Sequence, residues 1–402
     1  MVESVRIFDA DTHYFEPSDL FERYIEPQYR HLAVRSQQTE DGPIVMAGDK
    51  VHTYMKDYAW DRTVKPGALG DYIREQSFST AAAFSEEMDN VVRVEDRWVS
   101  DRDARVRLLD EQGVEGCLLF PTLSVTIEHP FRNDPIGTYA NLRALNRWLD
   151  DVWGFDYQQR LYAVPALSLI DLDMAVKELD WLLERGARMV NLRPGPAFGR
   201  SPGDPYFDPF WARLNEAGVP VAFHIGDAGY CEALSSAWGH NPDPETNRMS
   251  ALQWVSFYGD RPIMDTIAAL ILDNLFGRFP NLNVYSVENG SLWVPYLMKQ
   301  LDKMKGMGRN GPWIGGYVSG RPSEVFKRHV FVNPFHEEDI VALAQQIGAS
   351  QVVFGSDYPH GEGITAISSF APDHLSSLAP EDVQKIMGGN IRRLLNLEPA
   401  VV

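Results

Sequence analysis

The sequence predicts an α/β fold, a (β/α)8 TIM barrel with a long insertion after strand 1. Three observations predict it. Eight short apolar runs recur along the 402 residues, and amphipathic stretches with apolar spacing near 3.6 separate them. No GxGxxG follows the first run, which removes the commonest signature of a doubly wound open sheet. A single barrel domain over 1–402 accommodates this length when it carries an insertion.

The first strand is VRIFDA (residues 5–10). Residues 14–100 then break the pattern, being mixed, polar and rich in aromatics, and too long for a plain loop. We expect them to carry structure and to form a lid over the carboxyl-end face of the barrel, or a subunit contact. DARVRLLDEQG leads as a helix into GCLLFP (116–121), and TYANLRALNRWLDDVW leads into LYAVPAL (161–167). DLDMAVKELDWLLERG precedes RMVNLR (188–193), and VPVAFHI (219–225) follows. Gly186 and Gly218 each close a helix just before an apolar run, as a glycine beyond a helix end does. MDTIAALILDNLFGRFP precedes LNVYSVE (282–288), SLWVPYLMKQLDKM follows it, and HVFVNP (329–334) is the seventh run. EEDIVALAQQIG precedes the eighth, QVVFGS (351–356), and PEDVQKIMGGNIRRLLN reads as a terminal helix or helix pair.

Composition narrows the function classes. Hydrophobic residues make up 44% and charged residues 23%, an ordinary globular balance that excludes disorder for most of the chain. With 37 Lys and Arg against 56 Asp and Glu, the net charge of −19 repels phosphate backbones and anionic headgroups, so nucleic acid is not an expected partner. No run is apolar enough for a membrane helix, and the first residues carry no secretory signal pattern. Cys117 and Cys231 are the two cysteines, and Cys117 sits inside an apolar run as a buried small side chain. A reducing cytoplasm is the expected location.

The chemistry gathers at strand ends. The first strand leads into Asp9-Ala10-Asp11-Thr12-His13, where alternation puts Asp11 and His13 on one face, able to pinch one cation. Asp9 shares that face and is expected to support it. His224 ends the fifth run and Asp357 follows the eighth, where a carboxylate after an apolar stretch is costly to bury without a cation or donors. Asp11, His13, His224 and Asp357 together suit one divalent ion, with Zn2+ the first expectation and Mn2+ or Fe2+ the alternatives.

These stretches resemble the amidohydrolase superfamily, in its amidohydrolase-related branch that includes the aminocarboxymuconate semialdehyde decarboxylase-like enzymes. The resemblance rests on DADTHYFEP, RLLDEQGVEGCLLFPT, VNLRPGP, VAFHIGD, FPNLNVYSVENGSLWVPYL and VVFGSDYPHGEG, and spans essentially the whole chain. It implies a (β/α)8 barrel with a catalytic metal at the carboxyl ends of its strands. It also implies that the family's first-strand His-x-His falls on Asp11 and His13, its fifth-strand histidine on His224 and its eighth-strand aspartate on Asp357.

Three positions depart from the family's pattern. Asp11 replaces the first histidine, which hardens the site toward oxygen donors. Arg193 stands where two-metal relatives carry a bridging carboxylated lysine, so one ion is expected. Glu288-Asn289-Gly290 stands where characterised decarboxylases of the branch carry a histidine.

The leading expectation is therefore a mononuclear hydrolase, in which the ion activates a water and Asp357 takes its proton. The alternative is a metal-dependent non-oxidative decarboxylase of an aromatic or unsaturated acid, and a third possibility is a barrel that binds without catalysis. Glu288 serves as a second catalytic group, an extra ligand or a salt-bridge partner. Arg193 either recognises a substrate carboxylate or neutralises neighbouring acids. His240, Asn289, Trp293, Tyr358 and His360 are the remaining candidates for substrate contact, with His336 as a further strand-end histidine. Against each stands a plainer role in packing or at the surface. Tyr230, Trp238, Trp254, Phe257 and Tyr258 crowd the segment after the fifth run and point to a hydrophobic or aromatic small-molecule substrate. A homo-oligomer is compatible with the sequence but not specified by it.

Overall fold

The structure, a computed structural model, describes residues 5–40, 42–60, 62–68, 91–93 and 97–397. Its first strand, β1 (Ile7–Tyr14), is buried along its whole length. The insertion follows with a short helix (Leu20–Tyr24) and an antiparallel sheet of β2 (Val34–Thr39), β3 (Gly42–Ala47) and β4 (Lys50–Val51). β5 (Arg62–Val64) then pairs with β6 (Val91–Arg93). Residues 41, 61, 69–90 and 94–96 of the expected 14–100 insertion lie outside the described residues.

Six further parallel strands follow: β7 (Val114–Pro121), β8 (Leu161–Ala163), β9 (Val190–Leu192), β10 (Val221–His224), β11 (Val284–Val287) and β12 (Val330–Val332). They pair in the orders β1-β7-β8 and β9-β10-β11-β12. Backbone hydrogen bonds span both seams. Leu167 N–H donates to Asn191 O and Asn191 N–H to Pro165 O, joining β8 to β9. The eighth run lies between β12 and β1, with Val353 N–H donating to Val332 O, Ala10 N–H to Phe354 O and His13 N–H to Tyr358 O. All eight apolar runs thus occupy barrel positions.

The interior follows from strand alternation. Phe8, Leu118, Phe120, Tyr162, Val164, Ala222, Tyr285 and Phe331 fill the ring, and Ile391 and Leu394 of the last helix close its amino-terminal end. Side chains of the opposite parity, among them Cys117, Leu119 and Phe223, face the surrounding helices. Those helices start where aspartates cap them: Asp101, Asp134, Asp171 and Asp339 each accept an amide N–H from the first turn. Gly218 closes Asp208–Ala217 at φ 65°, and Gly186 lies two residues past Leu172–Glu184 at φ 79°. The expected helix over MDTIAALILDNLFGRFP is two, Asp260–Leu272 and Leu275–Arg278, divided where Asn274 adopts a left-handed φ of 58°.

The eighth run differs from expectation in forming isolated bridges rather than a regular ladder. Gly355 explains part of this, because a Cβ there would lie 2.5 Å from the Asp11 Cβ, so the chain runs against β1 more closely than any side chain permits. Gly355→Ala is expected to cost about 1–3 kcal/mol through overpacking. Urea unfolding checks it, and an unchanged midpoint contradicts the close approach.

The insertion is tied to loops that follow the carboxyl ends of three barrel strands. His52 meets Thr126 beyond β7, Thr246 beyond β10 donates to Tyr54 O, and Gly67 N–H donates to His360 O beyond the eighth run.

Candidate metal centre

The ladder between β1 and β7 slips between Asp9 and Thr12, so that three steps of β1 match two of β7. This bulge changes which side chains face the barrel mouth. Asp9, expected on the face of Asp11 and His13, turns instead to the eighth run and accepts hydrogen bonds from Ser356 N–H (2.9 Å) and Ser356 Oγ (2.6 Å). Asp11 and His13 reach the centre together.

There the His13 Nε2 lies 3.2 Å from His224 Nε2, 3.5 Å from Asp11 Oδ1, 3.3 Å from Asp357 Oδ1 and 3.8 Å from Glu288 Oε2. His224 Nε2 lies 3.7 Å from Asp11 Oδ1 and 3.3 Å from Glu288 Oε2. Asp11, His13, His224 and Glu288 each offer a donor atom within 4.8 Å of the others, as do His13, Glu288, Asp357 and His360. Asp11, His13 and His224 therefore share one group with Glu288, while Asp357 falls in a second group with His13, Glu288 and His360.

The protonation pattern shows what the centre can hold. His13 Nδ1 faces Pro121 O at 3.1 Å and His224 Nδ1 faces Ile225 O at 2.9 Å. A carbonyl only accepts, so each Nδ1 carries the hydrogen and each Nε2 turns a lone pair inward. Around these lone pairs, both carboxylate oxygens of Asp11, Oδ2 of Asp357 and Oε2 of Glu288 are buried without a hydrogen bond. Such a set fits a divalent cation. Burial opposes a charge on His13, yet Asp11, Asp357 and Glu288 hold it well above the ordinary imidazole range, so without an ion a proton answers the same demand.

The other acids are tuned apart. Burial, followed by the Asp357 charge, lifts Glu288 to about 7. Burial also works on Asp357, but His360 and His13 hold it below the usual carboxylate range. Both residues sit at left-handed φ, 53° for Glu288 and 57° for Asp357, a strained backbone that aims their carboxylates back into the mouth.

His360 is drawn in as well, its Nδ1 2.8 Å from Asp357 Oδ1 and its ring 4.0 Å from that of His13. Thr122 spends its hydroxyl hydrogen on Tyr14 O, so its oxygen, 3.4 Å from His360 Nε2, accepts the Nε2–H. His360 Nδ1 and Asp357 Oδ1 then share one proton.

The remaining candidates are placed elsewhere. Arg193 pairs with Glu128 (2.9 Å) and Asp227 (3.7 Å), which satisfies the reading that it neutralises neighbouring acids. His240 meets Ser250, the cap of the helix Ala251–Phe257. Asn289 donates to Phe223 O and Val287 O, clamping the ends of β10 and β11. Trp293 is buried against Phe326 and donates to Gly290 O, as a core residue does. Tyr358 packs its ring near Trp98 and the Arg105 guanidinium, and His336 pairs with Glu337. Of the aromatic group, Tyr258 lies 6.5 Å from the insertion's Tyr54 between ring centres, while Trp238 is 65% exposed.

A second ionic network was not expected. His129, after β7, bridges Asp227 (3.2 Å) and Asp243 (2.8 Å) of the loop after β10, and Asp227 continues to Arg193. Its signal in the sequence is faint: the pair Glu128-His129 and the single acid Asp227, each within eight residues past an apolar run. Burial opposes the charge, but the two aspartates lift His129 from 6.5 to about 9. Folding therefore takes up a proton here. The resulting stabilisation is complete below about 6.5 and is lost as pH rises through about 9, in all about 3 kcal/mol at roughly 1.4 kcal/mol per pKa unit. In His129→Gln, urea unfolding should show that loss flattened, and a variant as pH-sensitive as the parent over this window would contradict the bridge.

Comparison with known proteins adds the following. The family model described as Amidohydrolase matches residues 9–397. An amidohydrolase of Mycobacterium avium subsp. paratuberculosis K-10, of known structure, is 36% identical with a TM-score of 0.87, covering 98% of this chain and 100% of that one. A gamma-resorcylate decarboxylase of Polaromonas sp. strain JS666 is 22% identical over 345 residues, 81% of this chain and 96% of that protein. The structure of a dihydroxybenzoic acid decarboxylase from Polaromonas sp. JS666, with bound manganese and the inhibitor 2-nitroresorcinol, has a TM-score of 0.57 at 20% identity, covering 82% of this chain and 93% of that one. No helix among the described residues is long and apolar enough to cross a membrane.

Proposed function

The chain belongs to the amidohydrolase family, and from that premise we propose that it is a metal-dependent, non-oxidative decarboxylase of a hydroxy-substituted aromatic carboxylic acid. One observation carries the reading. Glu288, the strand-end acid standing where a histidine was expected, faces both inward imidazoles at 3.8 and 3.3 Å, beside the place a substrate held at the centre would occupy. Decarboxylation needs an acid beside the carbon that loses its carboxylate, and Glu288 is placed to be one. The gamma-resorcylate and dihydroxybenzoic acid decarboxylases among the similar proteins support the same choice.

Asp11, His13, His224 and Asp357 would hold one divalent ion. The oxygen-rich donor set, and the manganese in the Polaromonas structure, make Mn2+ the ion to test first and Zn2+ the second. When bound, such an ion supplies fixed positive charge for the substrate carboxylate and a neighbouring oxygen. The chain does the rest. Glu288 delivers its proton to the ring carbon that bears the carboxylate, forming the new C–H bond. The bond from that carbon to the carboxylate then breaks, its electron pair returns to the ring and CO2 leaves. Glu288 regains its proton from solvent. His360, sharing a proton with Asp357 Oδ1, orients that carboxylate. The insertion acts as a lid, bringing Phe15 within 6.1 Å of the His360 ring and Tyr54 toward Tyr258, which offers aromatic walls to an aromatic acid.

The test sets a panel of hydroxybenzoates against esters, amides and lactones, with Mn2+ or Zn2+ supplied. CO2 release from the acids is the expected outcome, and hydrolysis of the second group without CO2 release would return the assignment to a hydrolase.

A further inference from the structure

A guanidinium is buried here without an anion. Arg105, on the helix Arg102–Gln112, is 1% exposed, and its Nε, Nη1 and Nη2 have no hydrogen-bond partner among the described residues. It faces two rings instead, its guanidinium carbon 5.7 Å from the centre of Trp98 and 5.6 Å from that of Tyr358. Those rings lie 5.4 Å apart, so the three side chains form one cluster where the helix packs on the outer face of β7. The charge of Arg105 reaches the Cys117 thiol of β7, but burial raises that group and keeps it protonated, so no anion answers it there.

Such an arrangement costs stability. Two ring faces return less than a guanidinium loses on leaving water, and an apolar side chain of similar size would carry no such penalty. A local conflict of this kind points to a function served nearby. Tyr358 supplies it. Its carbonyl accepts the His13 N–H at 2.8 Å, its own N–H donates to Ser356 Oγ at 3.1 Å, and the neighbouring Asp357 N–H donates to Asp11 O at 2.8 Å. Residues 357 and 358 thus join the main chains of Asp11, His13 and Asp357, three of the four ligands proposed above. Asp357 holds a φ of 57°, which its surroundings must impose. The main-chain bonds fix the inner side of this segment, and the Tyr358 ring is its hold on the outer wall.

We propose that Arg105 is a positioning residue for the metal centre: with Trp98 it clamps the Tyr358 ring and so sets the Asp357 carboxylate against His13. Because residue 98 closes the 14–100 insertion, the clamp also ties that region to the loop that carries Asp357. This role rests on the metal centre of the proposed function, whatever acid is its substrate.

Calorimetric titration of the metal-free chain with Mn2+, and then with Zn2+, tests it beside thermal unfolding of the same metal-free samples. Arg105→Met should raise the metal dissociation constant by about tenfold or more. Its unfolding temperature should stay within about 4 °C of the parent's or rise, since an uncompensated buried charge is removed. Trp98→Leu, which leaves the arginine in place, should raise the dissociation constant by about threefold or more. Parent affinity in either variant overturns the proposal. A weakened site in Arg105→Met with an unfolding temperature lower by more than about 4 °C also overturns it, because the arginine would then support the fold rather than the ligands. A parent chain that takes up neither ion overturns the metal centre and this role together.

Discussion

Replacing His13 by alanine will strip the protein of its divalent ion and lower turnover by about 10³-fold or more, with the barrel still folded. The imidazole lies within 4 Å of donor atoms from Asp11, His224, Glu288 and Asp357 alike. Its loss leaves the carboxylates facing one another across the gap that it filled. Metal analysis per chain, run beside CO2 release, checks both halves. Retention of a full equivalent of metal, with activity within about tenfold of the parent, would mean that His13 is not a ligand.

Glu288→Gln is expected to lower kcat by about 10²–10⁴-fold while metal content and substrate binding stay near the parent's, because glutamine keeps the shape and loses the transferable proton. The pH dependence carries the sign. Glu288 acts in its protonated form, so kcat should fall as pH rises through about 7, and that limb should vanish in the variant. A variant that decarboxylates at the parent's rate would move the proton donor elsewhere, with the Asp357–His360 pair the next group in contact with the centre.

Much of this was legible before any coordinates. Eight apolar runs with helical patterns between them implied the barrel, because a parallel sheet buried on both faces writes itself as continuous apolar segments. The residues at the ends of the first, fifth and eighth runs pointed to a shared centre, since a cation gathers ligands from separate strand ends, and donor atoms of Asp11, His13 and His224 do lie together. What escaped depended on a single residue of register or on contacts between distant loops. The bulge at Asp9–Thr12 has no signature in a strand whose neighbours alternate normally, so Asp9 was expected beside Asp11 and was found holding Ser356.

His240 and Trp293 looked functional because they follow strand ends, yet the first serves a local helix cap and the second fills the core. The insertion's antiparallel sheet was invisible because β2, with the sequence VRSQQT, is largely exposed along its length. The His129 network was hidden because its members come from loops after three different strands, and only folding shows that one imidazole meets two aspartates.

The proposed chemistry requires one ion held by strand ends far apart in the chain. Anomalous scattering from a crystal grown with Mn2+ measures this directly. One peak is expected in each chain, at about 2.0–2.3 Å from His13 Nε2, His224 Nε2 and carboxylate oxygens of Asp11 and Asp357. A peak bound elsewhere, two peaks in one mouth, or none at full Mn2+ supply would contradict it.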